Sequence, residues 1–409
     1  MKRRFLSFGY GIYFFTLIVS ACAVNHPCRN ENNHPVDWFV VYKLPRLPNH
    51  DDDSVKHGKA YAYITSRGKI EWKLSEKSVQ AEDTLLGNTF SPLYEEKYKR
   101  NLLYFMYNDK PPTVKESYRG GGHAKGVVAG DKTGGFWMVH SVPNYISSTN
   151  NKYTYPDTGL KFGQSFLCIT LKPKDLELAG QLMQYNELHI YDKSIPNHLK
   201  KIYKNLINTA EGEMVDSETL NSNAFKTAGE NSLSSDKGIK NYFKWFKSIE
   251  KGFSNFFRRA KEDKLDVKSE PGSISDVIRS AGGKHFRVFA KSPSFNKELY
   301  SYWVAPALQV DLLVQTWARG RSHQDSSCEG KFKVENVEKI SVVGVEFPTT
   351  NDHSKWAVSD SQTKPWICVG DINKDDSQKR RGGGTVCIKN KSLWKAYHTT
   401  VIDTDSCRK

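Results

Sequence analysis

His123-Ala124-Lys125 and His353-Ser354-Lys355 each place an imidazole and an ammonium two residues apart, twice in one chain. In extended backbone, residues i and i+2 project from the same face, so each unit would direct both groups into one space. Brought together, the two pairs would offer two imidazoles and two ammonium groups. That set suits a phosphodiester. The lysines neutralise the non-bridging oxygens, one imidazole attacks phosphorus, and the other, protonated, donates to the leaving oxygen. No metal and no cofactor is required. An imidazole titrates at about 6.5, and two facing imidazoles beside lysines resist both being charged, so the protonated partner is easier to keep in acid. Gly120, Gly121, Gly122, Gly126 and the run Gly382-Gly383-Gly384 would let backbone approach a phosphate closely, or else form ordinary tight turns.

The elements that must position these groups read mostly as strand. β-Branched and aromatic runs bounded by turn residues recur at 38–44, 60–65, 125–130, 136–141, 165–171, 283–292, 311–318, 340–347, 365–371 and 384–389. Helical spacing is predicted over 93–105, over 196–210, where Leu199, Ile202, Leu206 and Ala210 share a face, and over 297–308. Mixed α and β elements thus stand on both sides of a central stretch, which points to two comparable halves, 24–210 and 273–409. Between them, 211–272 turns to Ser, Asn, Glu, Gly and Lys and encloses one basic amphipathic stretch, "YFKWFKSIEKGFSNFFRR" (242–259). Its aromatic stripe either packs on the protein's own core or contacts an anionic membrane or another polyanion.

The chain has 409 residues and is 38% hydrophobic, enough for two core-bearing units and too apolar for disorder to dominate. Residues 1–23 read as a secretory signal: Lys2, Arg3 and Arg4 precede an apolar stretch that ends at Ala21-Cys22-Ala23. Its removal leaves Cys28, Cys168, Cys328, Cys368, Cys387 and Cys407, an even set that in an exported chain predicts disulfides of undetermined pairing. Asn390-Lys391-Ser392 is a glycosylation sequon. The net charge of +15, three units of it in the leader, favours a polyanionic partner.

The words around the two units add a resemblance. "VDWFVVYKLP" (36–45), "LLYFMYNDKPP" (102–112), "GHAKGVVAGDKTGGFWMVHSVPNY" (122–145), "LYSYWVAPAL" (299–308), "DHSKWAVS" (352–359), "PWICVGDINK" (365–374) and "RGGGTVCIKNKSLWKAY" (381–397) resemble deoxyribonuclease II, in order along nearly the whole chain. The resemblance implies a mixed αβ fold of the phospholipase D type, a pseudo-dimer whose halves each give one His-x-Lys unit to a central site. It implies a metal-independent acid endonuclease acting on double-stranded DNA to leave 3′-phosphate and 5′-hydroxyl ends. His123, Lys125, His353 and Lys355 take the catalytic positions, with the reading leaning to His123 as nucleophile and His353 as acid. His140, Asn144 and Asn373 are implied as supporting or phosphate-contacting residues. The resemblance also pairs Cys28 with Cys168, Cys328 with Cys407 and Cys368 with Cys387. Asp131 and Asp360 follow the motif lysines, but only the second at the phospholipase D spacing.

The chain departs from the family pattern in the 211–272 insertion, in Ala124 where threonine is usual and in Ala357 where cysteine is common. None of these removes a catalytic side chain. The expected location is secreted, with a lysosome as the alternative. Two rival functions remain: an inactive nucleic-acid-binding relative, and a phospholipase D-like lipid hydrolase.

Overall fold

Every residue of Trp38–Lys43 is buried, so this strand is covered on both faces. Its period-two alternation sends Trp38, Val40 and Tyr42 into one apolar cluster and Phe39 and Val41 into another. The strand belongs to a computed structural model that describes residues 24–95, 100–112, 114–147, 152–215 and 270–407. The leader 1–23 and the amphipathic stretch 242–259 lie outside the described residues.

In chain order the first part holds β1 (Cys28–Arg29), β2 (Pro35–Val36), β3 (Trp38–Lys43), α1 (Asp53–Lys56), β4 (Tyr61–Thr65), β5 (Lys73–Leu74), α2 (Leu85–Tyr94), β6 (Leu103–Asn108), β7 (Lys125–Asp131), β8 (Gly134–His140), β9 (Gln164–Leu171), α3 (Pro173–Met183), β10 (Ile190–Ser194) and α4 (Lys204–Glu211). The second part holds β11 (Ser273–Arg279), β12 (His285–Lys291), α5 (Ala305–Leu308), β13 (Leu312–Gln315), β14 (Val334–Val342), β15 (Val345–Pro348), β16 (Trp356–Ser359), β17 (Trp366–Gly370), β18 (Gly383–Lys389), α6 (Lys391–His398) and β19 (Val401–Asp405). The first sheet runs β10-β6-β7-β8-β9-β3-β4-β5, and the second β11-β12-β18-β17-β16-β13-β14-β15 with β19 on β14. Pairing is antiparallel throughout both sheets except between β13 and β14. The fold is therefore mixed α and β, dominated by two large sheets.

Side chains from both sheets and from α3, α4 and α6 share one core, in which Tyr42, Tyr107 and Val139 of the first part join Trp356, Val358 and Tyr397 of the second. Each large apolar side chain removed from water there contributes roughly 2 kcal/mol against chain entropy. Two further clusters cover the opposite faces, one beneath α2 and one beneath the π-helix that leads into α5.

Two of the three predicted helices differ from the sequence reading, and the third is wound in two forms. Residues 93–105 do not form one helix: α2 ends at Tyr94, and β6 takes over at Leu103, because Leu103, Phe105 and Tyr107 alternate into the shared core while Met106 faces the other way. In 196–210 a short turn at Asn197–Leu199 precedes α4, and Ile202 is 40% exposed where the spacing placed it on the buried face. In 297–308 the predicted helix is present from Tyr300, wound as a π-helix over Tyr300–Val304 and as an α-helix over Ala305–Leu308. The predicted strand 340–347 is a hairpin, β14 and β15, that turns at Val343 and Gly344, both at positive φ.

Cysteines 28 and 168, 328 and 407, and 368 and 387 are disulfide-bonded, the pairing that the resemblance implied. The first bond closes a separation of 140 residues. Replacing Cys28 and Cys168 together with serine is expected to cost about 4 kcal/mol of stability, read from the urea midpoint. Asn390 caps α6, its side-chain oxygen accepting from the Ser392 and Leu393 amides at 3.1 and 3.0 Å.

Counted outward from the His-x-Lys units, β6-β7-β8-β9-β3 and β13-β16-β17-β18-β12 run in the same spatial order and the same chain order. The ladder registers then make Lys43 equivalent to Lys291, Ser141 to Asp371, Gly163 to Gly382 and Asp109 to Trp317.

Candidate active site

Each His-x-Lys unit stands at the entry to a central strand, β7 or β16, and each is held by the opposite part of the chain. The His123 amide donates to the Gly382 carbonyl at 2.7 Å and the His353 amide to the Gly163 carbonyl at 2.9 Å. The rings follow the same exchange. His123 Nδ1 donates to the Asp371 carbonyl at 2.9 Å, and His353 Nδ1 to the Ser141 carbonyl at 3.0 Å. A carbonyl only accepts, so Nδ1 carries the hydrogen and Nε2 is the nitrogen left for chemistry. Glycine is required at both crossings, because a Cβ on Gly382 would lie 2.3 Å from the Asn186 carbonyl oxygen and one on Gly163 2.3 Å from Asp352 Oδ1.

The lysines are as closely held. Lys125 Nζ, almost fully buried, pairs with Asp109, and its amide donates to Asp371 Oδ1 at 3.2 Å. Lys355 Nζ donates to the His353 carbonyl at 3.3 Å and its amide to Ser165 Oγ at 3.1 Å. Burial and then the charge of Lys125 push the Lys355 ammonium down to about 7. Burial likewise pushes the Asp371 carboxyl up to about 7, against the pull of the Lys125 amide and of the Lys125 and Lys355 charges.

The two imidazoles are both driven well below their ordinary value, but their neighbours differ. For His123 the causes are burial and Lys125, opposed by Asp109. Its Nε2 lies 3.8 Å from Asp109 Oδ2. For His353 they are burial, Lys355, Lys125 and His123, opposed by the hydrogen bond to the Ser141 carbonyl. Its ring packs instead edge-to-face on Trp317, with centroids 5.0 Å apart. Asp109 is held well below the usual carboxylate range: burial works to raise it, but Lys125, His123 and Arg381 outweigh that.

The remaining predicted residues divide. His140 is buried between Tyr145 and Phe166. Its Nδ1 accepts from the Val142 amide at 3.2 Å, and its Nε2 has no hydrogen-bond partner among the described residues. Burial, then Lys125 and Lys355, hold it neutral. Asn373 is buried beside the site and accepts from the Trp317 amide at 3.4 Å.

Asn144 serves the scaffold: its amide nitrogen donates to the Pro111 and Val114 carbonyls at 2.8 and 3.1 Å. In register it corresponds to Lys374 and not to Asn373. Asp131 and Asp360 lie at the far ends of β7 and β16, where Asp131 binds Asn25 and Thr133 and Asp360 faces His398. Gly122, Gly382 and Gly384 stand close against protein backbone, Gly122 donating to the Glu187 carbonyl at 2.7 Å, whereas Gly120 has open space where a side chain would be.

Asp109, Asp371, Arg381 and Trp317 carry functional geometry that the sequence reading did not single out. The available signal for Asp109 was an acid directly after the apolar run "LLYFMYN". Among the described residues, no group of three or more His, Cys, Asp or Glu side chains could hold a metal ion.

A buried cluster of two carbonyl-anchored imidazoles, two ammonium groups and two acids has the equipment for acid-base and nucleophilic work on a phosphate ester. The sequence profile of the family Deoxyribonuclease II matches residues 27–249 and 219–407, and the chain belongs to that family. It is 32% identical over 382 residues to Plancitoxin-1 of Acanthaster planci, covering 93% of this chain and 92% of that protein. It is 30% identical over 413 residues to human Deoxyribonuclease-2-beta, covering 100% and 99%, and 31% identical over 387 residues to mouse Deoxyribonuclease-2-alpha, covering 93% of each.

Proposed function

We propose that the two His-x-Lys units form one centre that hydrolyses DNA in acid without a metal, in a phospholipase D-like pseudo-dimer of the two sheet-bearing halves. The observation that carries this reading is the exchange of carbonyls, His123 on Asp371 and His353 on Ser141, which fixes both rings with Nε2 as the reactive nitrogen. Lys125 and Lys355 neutralise the non-bridging oxygens. His353 Nε2, neutral and beside Trp317, attacks phosphorus. The bond from phosphorus to O5′ breaks, and that oxygen takes the Nε2 proton of His123. Water, losing its proton to His123, then displaces His353, giving 3′-phosphate and 5′-hydroxyl ends.

This assignment reverses the sequence reading of the two roles. A carboxylate near Nε2 favours the imidazolium, and His123 has Asp109 at 3.8 Å whereas His353 has no carboxylate partner among the described residues. His140 and Asn373 support the site through its neighbours, His140 by staying neutral beside the lysines. Export to the cell exterior, or delivery to a lysosome, fits the leader and the disulfides, and Nδ2 of Asn390 is the atom a glycan would take.

Because burial and lysines depress both histidines, a lower pH is needed to populate the imidazolium. Activity is therefore expected to rise as pH falls from neutrality. The test is nicking of supercoiled plasmid in excess chelator, expected to be strong at about pH 5 and weak at about pH 7. Nicking that vanishes on chelation would remove the metal-free mechanism. DNA binding without nicking would favour an inactive relative.

A further inference from the structure

Equivalent positions around the two histidines carry unlike chemistry. At His123 they hold Asp109 and Arg381, an ion pair at 3.8 Å whose guanidinium also donates to the Gly121 and Gly122 carbonyls at 2.8 and 2.7 Å. At His353 the same positions hold Trp317 and Phe162. Their rings meet edge-to-face with centroids 4.8 Å apart, and Trp317 in turn meets His353 at 5.0 Å. Both aromatic residues are only half-buried, so an apolar wall runs from the reactive imidazole toward solvent. Two exposed cations crown it. The Lys161 ammonium lies 5.1 Å and the Arg319 guanidinium 5.4 Å from the Phe162 centroid. Arg319 Nε is anchored on the Thr350 carbonyl at 2.6 Å, and the Trp317 amide on Asn373 Oδ1.

Half-exposed aromatic rings beside a catalytic group are poorly explained by packing alone, since the same positions in the other half close the fold with an ion pair. Rings that present apolar surface next to cations are the combination that engages nucleic acid out of its duplex stack: a base stacks on the ring while the cations take the flanking phosphates.

We propose that Trp317 and Phe162, with Lys161 and Arg319, form a nucleobase subsite that receives an unstacked base of the strand being cut, next to the phosphate attacked at His353. This rests on the nuclease reading above. The cleft would then hold the strand by charge at His123 and by stacking at His353, so that duplex DNA must be locally kinked to react.

The test compares kcat/KM on duplex DNA with kcat/KM on bis(p-nitrophenyl) phosphate, a diester without a base, using the full-length protein. Trp317→Ala is expected to lower the ratio of the two by roughly 5- to 150-fold, the range for losing one base-aromatic stack, and Trp317→Phe to restore most of it. Phe162→Leu, which keeps apolar bulk but loses the ring, should lower the ratio in the same direction if Trp317→Ala does not fold. A ratio unchanged in the folded variants, whether both rates fall together or neither moves, would overturn the subsite, the first case leaving Trp317 as a support for His353 only. A wild-type protein that cleaves neither substrate would instead remove the nuclease reading itself.

Discussion

Replacing His353 with alanine is expected to abolish turnover on both DNA and bis(p-nitrophenyl) phosphate, by roughly four orders of magnitude or more, because in the proposed mechanism its Nε2 forms the covalent intermediate. Replacing His123 is expected to be selective. On DNA the leaving group is an alkoxide that needs a proton as it departs, and loss of the acid costs about 10²- to 10⁴-fold. p-Nitrophenolate departs without that proton, so His123→Ala should keep much of its first step on the small diester and stall in the second, where His123 accepts the proton of water. A burst of p-nitrophenol followed by slow release is the expected trace, with the phosphoryl group trapped on the protein. A burst in His353→Ala and none in His123→Ala would exchange the two roles and strip Asp109 of the function assigned to it.

The same buried groups act on stability, and in opposing directions. His123, His140 and His353 stand below their ordinary value in the folded chain. The unfolded chain therefore binds the additional protons in acid, and these residues withdraw stability as pH falls below about 6.5. Asp371 does the reverse. Its carboxyl holds a proton up to about 7 when folded, against an ordinary 3.8. Its contribution is thus whole below the ordinary value and is lost as pH rises through about 7. An acid working range costs this fold less than its buried histidines alone would impose.

The first motif strand, "KGVVAG", and its neighbours such as "SFLCITL" are legible in the sequence because their apolar runs are long and bounded by turns, whereas the second motif strand, Trp356–Ser359, is only four residues long and is not among the predicted strands. Local pattern failed where two elements adjoin: Tyr94, Tyr98, Leu102 and Phe105 satisfy helical spacing, but only the alternation from Leu103 to Tyr107 survives contact with the core. What spacing could not reveal was the exchange of carbonyls. Asp371 acts through its backbone oxygen and Gly163 and Gly382 through theirs, and a main-chain atom leaves no mark in residue type. The differing surroundings of the histidines were hidden for a related reason. Asp109 and Trp317 become comparable only after the ladders align β6 with β13, across more than half of the chain.

Asp109→Asn tests that difference with the least change of shape. The wild-type carboxylate is nearly inaccessible and is shared between Lys125, Arg381 and His123. An amide leaves a buried ammonium without its partner, which is expected to cost about 3 kcal/mol of stability, read from the urea midpoint. The kinetic consequence is separable from that loss. Without the one carboxylate that favours its protonation, His123 becomes an imidazolium only at still lower pH, so the acid-activated profile on DNA should move to lower pH and its rate near neutrality should fall. Asp109→Glu, which keeps the charge, should move the profile back. The p-nitrophenol burst, which needs no proton from His123, should fall less than the rate on DNA. A profile that stays in place in a folded Asp109→Asn protein would mean that the imidazolium is stabilised by the bound phosphate alone, and that Asp109 serves only to fix Lys125 beneath it.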